Sequence, residues 1–73
     1  MRAIPYTDQH GVKQVMPACT EAEVSAGGGF CLACGNEQFA EPDARRLKCD
    51  ACSKAKVYGL EKLLLMGLLH LEA

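Results

Sequence analysis

Apolar and polar positions divide the chain into three stretches of different character. Between Arg2 and Met16, β-compatible residues at Ile4, Tyr6 and Thr7, and again at Val12 and Val15, flank the turn signal Asp8-Gln9-His10-Gly11, which allows a small hairpin. Pro5 has no amide to give to a ladder, so the first run is confined to an edge strand or an extended tail. Thr20-Glu21-Ala22-Glu23 has capping-box spacing, and a brief helical turn is expected from there to Ala26. Gly27-Gly28-Gly29 is costly to order and reads as a flexible joint, which makes residues 1–29 an N-terminal arm.

Residues 30–58 are poor in large apolar side chains. Phe39, Leu47, Val57 and Tyr58 are the candidate packing residues, with a hairpin through Gln38–Lys48, a chain reversal at Pro42-Asp43 and a strand at Lys54–Tyr58. Residues 59–73 turn leucine-rich, and strong helix formers predominate despite Gly67. Leu60, Leu64, Leu68 and Leu71 can form one stripe of a helix, while Leu63, Leu65 and Leu69 lie around the rest of the cylinder. Such a helix either completes a small core or offers a surface to a partner protein or a second copy. It is too short for a membrane span, which needs about twenty apolar residues.

The candidate chemistry lies in the middle stretch. Cys31-Leu-Ala-Cys34 and Cys49-Asp-Ala-Cys52 are two C-x-x-C pairs separated by fourteen residues. Each pair delivers two sulfurs from one tight turn, and two pairs fill all four positions of a tetrahedral zinc ion. Gly35 follows the first pair where the backbone must turn its amides back towards the sulfurs, and Ser53 holds the equivalent place after the second. A thioredoxin-like motif would need a larger βαβ framework. A secreted disulfide scaffold fits neither five cysteines nor the opening Met1-Arg2-Ala3-Ile4-Pro5, which has no apolar signal region. Cys19 is left over, as a buried small hydrophobe or a free thiol. His10 and His70 have no partner at ligand spacing.

Length and charge sharpen this picture. Seventy-three residues make one small domain, whose apolar core alone yields about 3–5 kcal/mol, so a metal staple is expected. The formal net charge of -1 conceals an asymmetry. Residues 1–44 carry two basic side chains against six acidic, a balance of -4, and residues 45–73 carry six against three, +3. Arg45, Arg46, Lys48, Lys54 and Lys56 flank the second cysteine pair. They either compensate the charge of a zinc tetrathiolate or form a contact surface for nucleic acid or an acidic protein patch. The chain has no Ser/His/Asp arrangement, phosphate-cradling glycine loop or H-E-x-x-H, so no independent active site is expected.

At Cys31-Leu-Ala-Cys34-Gly35, Glu41-Pro42-Asp43-Ala44-Arg45, Cys49-Asp-Ala-Cys52 and Val57-Tyr58-Gly59-Leu60-Glu61, about half the chain, the sequence resembles small zinc-ribbon transcription regulators of Xanthomonas-infecting bacteriophages. The resemblance implies a zinc ribbon with an N-terminal arm and a short C-terminal helix, a small α+β fold. It also implies a monomeric, non-enzymatic protein of the host bacterial cytoplasm. Such a protein binds the large subunits of host RNA polymerase, inhibits transcription initiation and promotes terminator read-through. Ile4 and Tyr6 on the arm and the basic cluster Arg45, Arg46 and Lys48 are the expected polymerase contacts. Two other functions remain open. One is single-strand binding by the basic residues with Phe39 or Tyr58 as stacking platforms. The other is a transcript-cleavage accessory role for Glu41 and Asp43, two carboxylates in the inter-knuckle loop that can share a hard cation.

Overall fold

The computed structural model describes residues 1–72 and has a small α+β architecture of two sheets and two helices. The hairpin forms as β1 (Arg2–Thr7) and β2 (Lys13–Thr20), with Ile4 opposite Met16 and Pro5 opposite Val15. Its turn is held by Asp8, whose carboxylate accepts the amides of His10 and Val12 at 2.9 Å each and the Gln14 side-chain amide. The Val12 amide above all, with those of His10 and Gln14, holds the Asp8 carboxyl below its ordinary value. Strand β1 lies on a sheet edge, where Pro5 breaks no ladder.

Thr20 then caps α1 (Glu21–Ala26) through the reciprocal capping box. The Glu23 amide donates to Thr20 Oγ1 at 3.3 Å and the Thr20 amide to Glu23 Oε1 at 2.9 Å. The glycine triplet carries the chain from α1 into the second sheet. Gly27 and Gly28 take φ of 88° and 99°, and Gly29 is buried in a strand, where a Cβ would lie 2.6 Å from that of Ala40.

The second sheet has the order β4 (Glu37–Gln38), β3 (Gly29–Cys31), β6 (Ala55–Gly59), β5 (Leu47–Lys48). Its two hairpins each enclose one cysteine pair, β3 with β4 and β5 with β6, so the expected hairpin through Gln38–Lys48 does not form. Residues 38 and 48 instead lie on opposite outer strands, and the Gln38 side chain links them by donating to Lys48 O at 3.2 Å. The strand expected at Lys54–Tyr58 is β6, one residue further on. Val57 is fully buried, but Phe39 is 84 % exposed and Leu47 38 %, contrary to their expected packing roles. Alternation puts Ala40, not Phe39, on the inner side, and Leu47 sits on a two-residue outer strand.

The C-terminal stretch is not one helix. The second helix, α2 (Leu60–Met66), stops at Gly67, whose left-handed backbone (φ 75°, ψ 19°) sends its own amide to Leu64 O and that of Leu68 to Leu63 O, a Schellman ending. The stop frees residues 70–72 to pair as β7 (His70–Glu72), parallel to β2, with Ala18 opposite His70. The buried helix stripe is therefore Leu60 and Leu63, whereas Leu64 and Leu71 stand about two-fifths exposed and Leu65 81 %. Leu60, Leu63 and Leu69 meet Cys19, Val24, Phe30 and Leu32 in one core between the sheets.

Residues 1–29 are thus integral to the core rather than an arm beside it. Val15 donates to Leu32 O at 2.9 Å, and Cys19 is completely buried. Among the described residues no helix is long and apolar enough to cross a membrane.

Candidate metal centre

The two cysteine turns have the same local construction. In the first, the Cys31 amide donates to Asn36 O and the Gly35 amide to Cys31 O, both at 2.9 Å. In the second, Cys49 donates to Lys54 O at 2.9 Å and Ser53 to Cys49 O at 3.0 Å. Each turn needs a left-handed residue after its second cysteine, and Gly35 (φ 83°) and Ser53 (φ 65°) supply it. Glycine adopts this conformation freely, while a residue with a Cβ is strained by about 1–2 kcal/mol. Ser53→Gly relieves that strain at some cost in unfolded-chain entropy. The expected outcome is a gain of up to about 1 kcal/mol, seen as a rise in Tm of a few degrees in metal-loaded protein. A fall in Tm would show that the Ser53 side chain contributes more than its backbone costs.

Pairing of β3 with β6 brings the turns together. Cys31 Sγ lies 3.7 Å from Cys52 Sγ and Cys34 Sγ 3.6 Å from Cys49 Sγ, and all four sulfurs lie within 4.8 Å of one another. A tetrahedron with metal–sulfur bonds of about 2.3 Å has edges of about 3.8 Å, so the sulfurs stand where a four-thiolate site requires them. They are far outside disulfide distance, and all are free thiols. Four soft donors in this arrangement suit a structural metal such as zinc and leave no position open for substrate.

The backbone prepares the sulfurs for this role. Cys49 Sγ accepts the amides of Ala51 and Cys52 at 3.3 and 3.4 Å. The Cys52 amide, then that of Ala51 and the neighbouring thiols, bring Cys49 down to about 6, which favours its thiolate form. Cys34 has the opposite balance. The Asn36 amide draws its thiol down, but desolvation and the sulfurs of Cys49, Cys31 and Cys52 outweigh it and push it up to about 12. Burial raises Cys31. A metal of this kind takes its cysteine ligands as thiolates, so binding displaces the protons these sulfurs hold, and acid favours release.

Cys19 lies in the other core, outside the cluster of four sulfurs, and burial, followed by Glu23, raises its thiol. His10 and His70 are exposed and outside the cluster. Of the expected contact residues, Arg45 and Arg46 are exposed on one cleft of about 590 Å³, together with Tyr58, Lys62 and Met66. Tyr6 lines the adjoining cleft, half-buried, with its hydroxyl 3.4 Å from Gln14 Oε1. Ile4 is half-buried in β1, and Lys48 is exposed in β5; neither lines these clefts. Lys62 and Met66 were not singled out from sequence, although their i, i+4 spacing on a helix places them on one face.

Glu41 and Asp43 lie in the turn Glu41–Ala44, closed by the Ala44 amide on Glu41 O at 3.0 Å. The turn docks on the start of α2, where Lys62 donates to Pro42 O at 3.0 Å and Gly59 to Ala44 O at 2.9 Å. These carbonyls satisfy helix-end amides that have no side-chain cap. No known protein family, curated protein or solved structure matches the chain.

Proposed function

We propose that the four cysteines hold one structural zinc ion and that the resulting ribbon is a non-catalytic binding regulator of transcription. The observation that carries the metal assignment is the set of 3.6–3.7 Å sulfur separations between the turns. The closed coordination sphere supports a structural ion rather than a catalytic one. The target, host RNA polymerase through its large subunits, rests on the likeness of the cysteine turns, Glu41–Arg45 and Val57–Glu61 to the phage regulators. On this reading the protein works in the host bacterial cytoplasm as a monomer, inhibiting initiation and promoting terminator read-through. Arg45, Arg46 and Lys48 are exposed candidate contacts, whereas Ile4 is half-buried in a paired strand.

A cleavage-factor role is the weaker reading because the Glu41–Ala44 turn is anchored to α2 instead of standing out at a hairpin tip.

The test is a pull-down from bacterial lysate with the zinc-loaded protein, scored for the large polymerase subunits, followed by promoter-dependent transcription with purified polymerase. Capture and inhibition are expected, unchanged in Glu41→Ala/Asp43→Ala. Failure to capture polymerase overturns the regulator reading. Metal-dependent shortening of stalled transcripts, lost in the double variant, would establish the cleavage role instead.

A further inference from the structure

The cleft beside Arg45 and Arg46 does not end at Tyr58. A second hollow of about 440 Å³ adjoins it, sharing Tyr58 and Met66, and a third of about 330 Å³ continues from that one past His10 and Lys56. Both tyrosines of the chain, Tyr6 and Tyr58, border this groove. Six of the eight basic residues line it: Arg45, Arg46 and Lys62 at one end, Lys56 in the middle, Lys54 and Lys13 at the other. The placement follows from local geometry. Lys56 and Tyr58, both half-buried, share the face of β6 opposite buried Val57, with Tyr58 also packed on the larger core, and Lys62 and Met66 are one helical turn apart on α2.

Acidic side chains are few among the residues lining the groove, although the Glu41–Ala44 turn, with Glu41 and Asp43, adjoins its Lys62 end. Asp8 alone lines it, and its carboxylate is occupied by the His10 and Val12 amides. Glu21 and Glu72 line a separate hollow, and Glu37 another. Among the described residues the ion pairs are those of the N-terminal amine with Glu23 and of Arg2 with Glu72, so none engages a cation of the groove. The net charge of -1 therefore conceals a concentration of six basic residues along three hollows that share lining residues. Arg46 holds its place there with φ 54°, a backbone conformation that glycine would adopt with less strain.

We infer that this groove is a binding track for single-stranded nucleic acid, with Arg45, Arg46, Lys62 and Lys56 on phosphates and Tyr58 and Tyr6 as base-stacking platforms. A row of unpaired cations alone would suit any polyanion. The two aromatic side chains bordering the groove favour unpaired bases, which offer a π-face at each step, over carboxylates, which offer none. Four phosphate-contacting cations correspond to a site of about four nucleotides, the low end of the range for a single OB fold. The inference goes beyond the polymerase reading and does not depend on it.

The chain has no tryptophan and two tyrosines, so tyrosine fluorescence reports directly on the groove. Titration of zinc-loaded full-length protein with oligo(U) and oligo(dU) of about eight nucleotides is expected to quench it. With four phosphate contacts at about 0.7 each, log K should fall with log salt at a slope of about -3. Arg45→Ala/Arg46→Gly should reduce that slope by about 1.4 without lowering Tm, since glycine suits position 46. Tyr58→Leu, which keeps apolar bulk against the core, should lower affinity about fivefold or more with the slope unchanged.

Binding of either oligomer supports the track, and a preference for oligo(U) over oligo(dU), which differ only at the sugar, identifies RNA through its 2′-hydroxyl. Absence of quenching by both overturns it, as does an unchanged salt slope in the arginine variant. Equal competition by poly-glutamate also overturns it and reassigns the groove to an acidic protein. Loss of oligonucleotide binding with polymerase capture intact removes this inference alone.

Discussion

Chelating the metal is expected to unfold the entire chain, not only the segment that contains the cysteines. A structural zinc site contributes on the order of 10–16 kcal/mol in small peptides, against about 3–5 kcal/mol for the apolar core of a domain this size. The loss spreads because the cage and the larger core share elements. Cys31 and Phe30 are neighbours on β3, one in each cluster, and Val57 and Tyr58 repeat the arrangement on β6. The Leu32 amide donates to Lys56 O at 3.0 Å while its carbonyl accepts from Val15, so the first sheet loses its support when the second opens. Amide resonances from Arg2–Thr20 should collapse together with those from Phe30–Tyr58, either on adding chelator or in Cys49→Ser. Cys19→Ser should keep one metal per chain. If the β1–β2 resonances stay dispersed without metal, the N-terminal hairpin is an independent unit and the shared-core account is wrong.

Gly59→Ala is the second change expected to be severe, and its reason is steric. Gly59 has an ordinary extended backbone (φ -63°, ψ 147°), so alanine suffers no conformational strain there. A Cβ would instead overlap the carbonyl oxygens of Glu41 and Pro42 and stand 2.6 Å from the Pro42 carbonyl carbon. Those atoms are backbone and cannot rotate away. Moving them breaks the bonds from Gly59 to Ala44 O and from Lys62 to Pro42 O and strips the start of α2 of its only caps from that turn. Overpacking against a fixed backbone costs about 3 kcal/mol or more, and at about 4–8 °C per kcal/mol Tm should fall by at least about 12 °C in metal-loaded protein. A change within about 2 °C would mean that the turn can move off the helix freely.

These two sites differ in how far they could be read beforehand. The cysteine turns, the Thr20 capping box and the Asp8–Gly11 reversal are written in residues a few positions apart, and the structure contains all three. Gly59 carries no comparable mark in the sequence. Its importance comes from a turn fifteen or more residues away that happens to lie against it. Gly67 is a legible stop, but the leucines on both sides of it favour a continued helix by propensity alone, and only the pairing of residues 70–72 with β2 decides for the stop.

The sequence by itself determined which side chains can hold a metal, where the short helices begin and where the first hairpin turns, because those outcomes depend on covalent spacing and local hydrogen bonding. The tertiary structure alone decided that residues 70–72 leave the helix and pair with β2, that the supposed arm belongs to the core, and that basic residues scattered from Lys13 to Lys62 line one groove. Those results depend on which distant strands pair. A parallel strand pair between residues some fifty positions apart satisfies backbone groups and closes the core only when every intervening element is already in place.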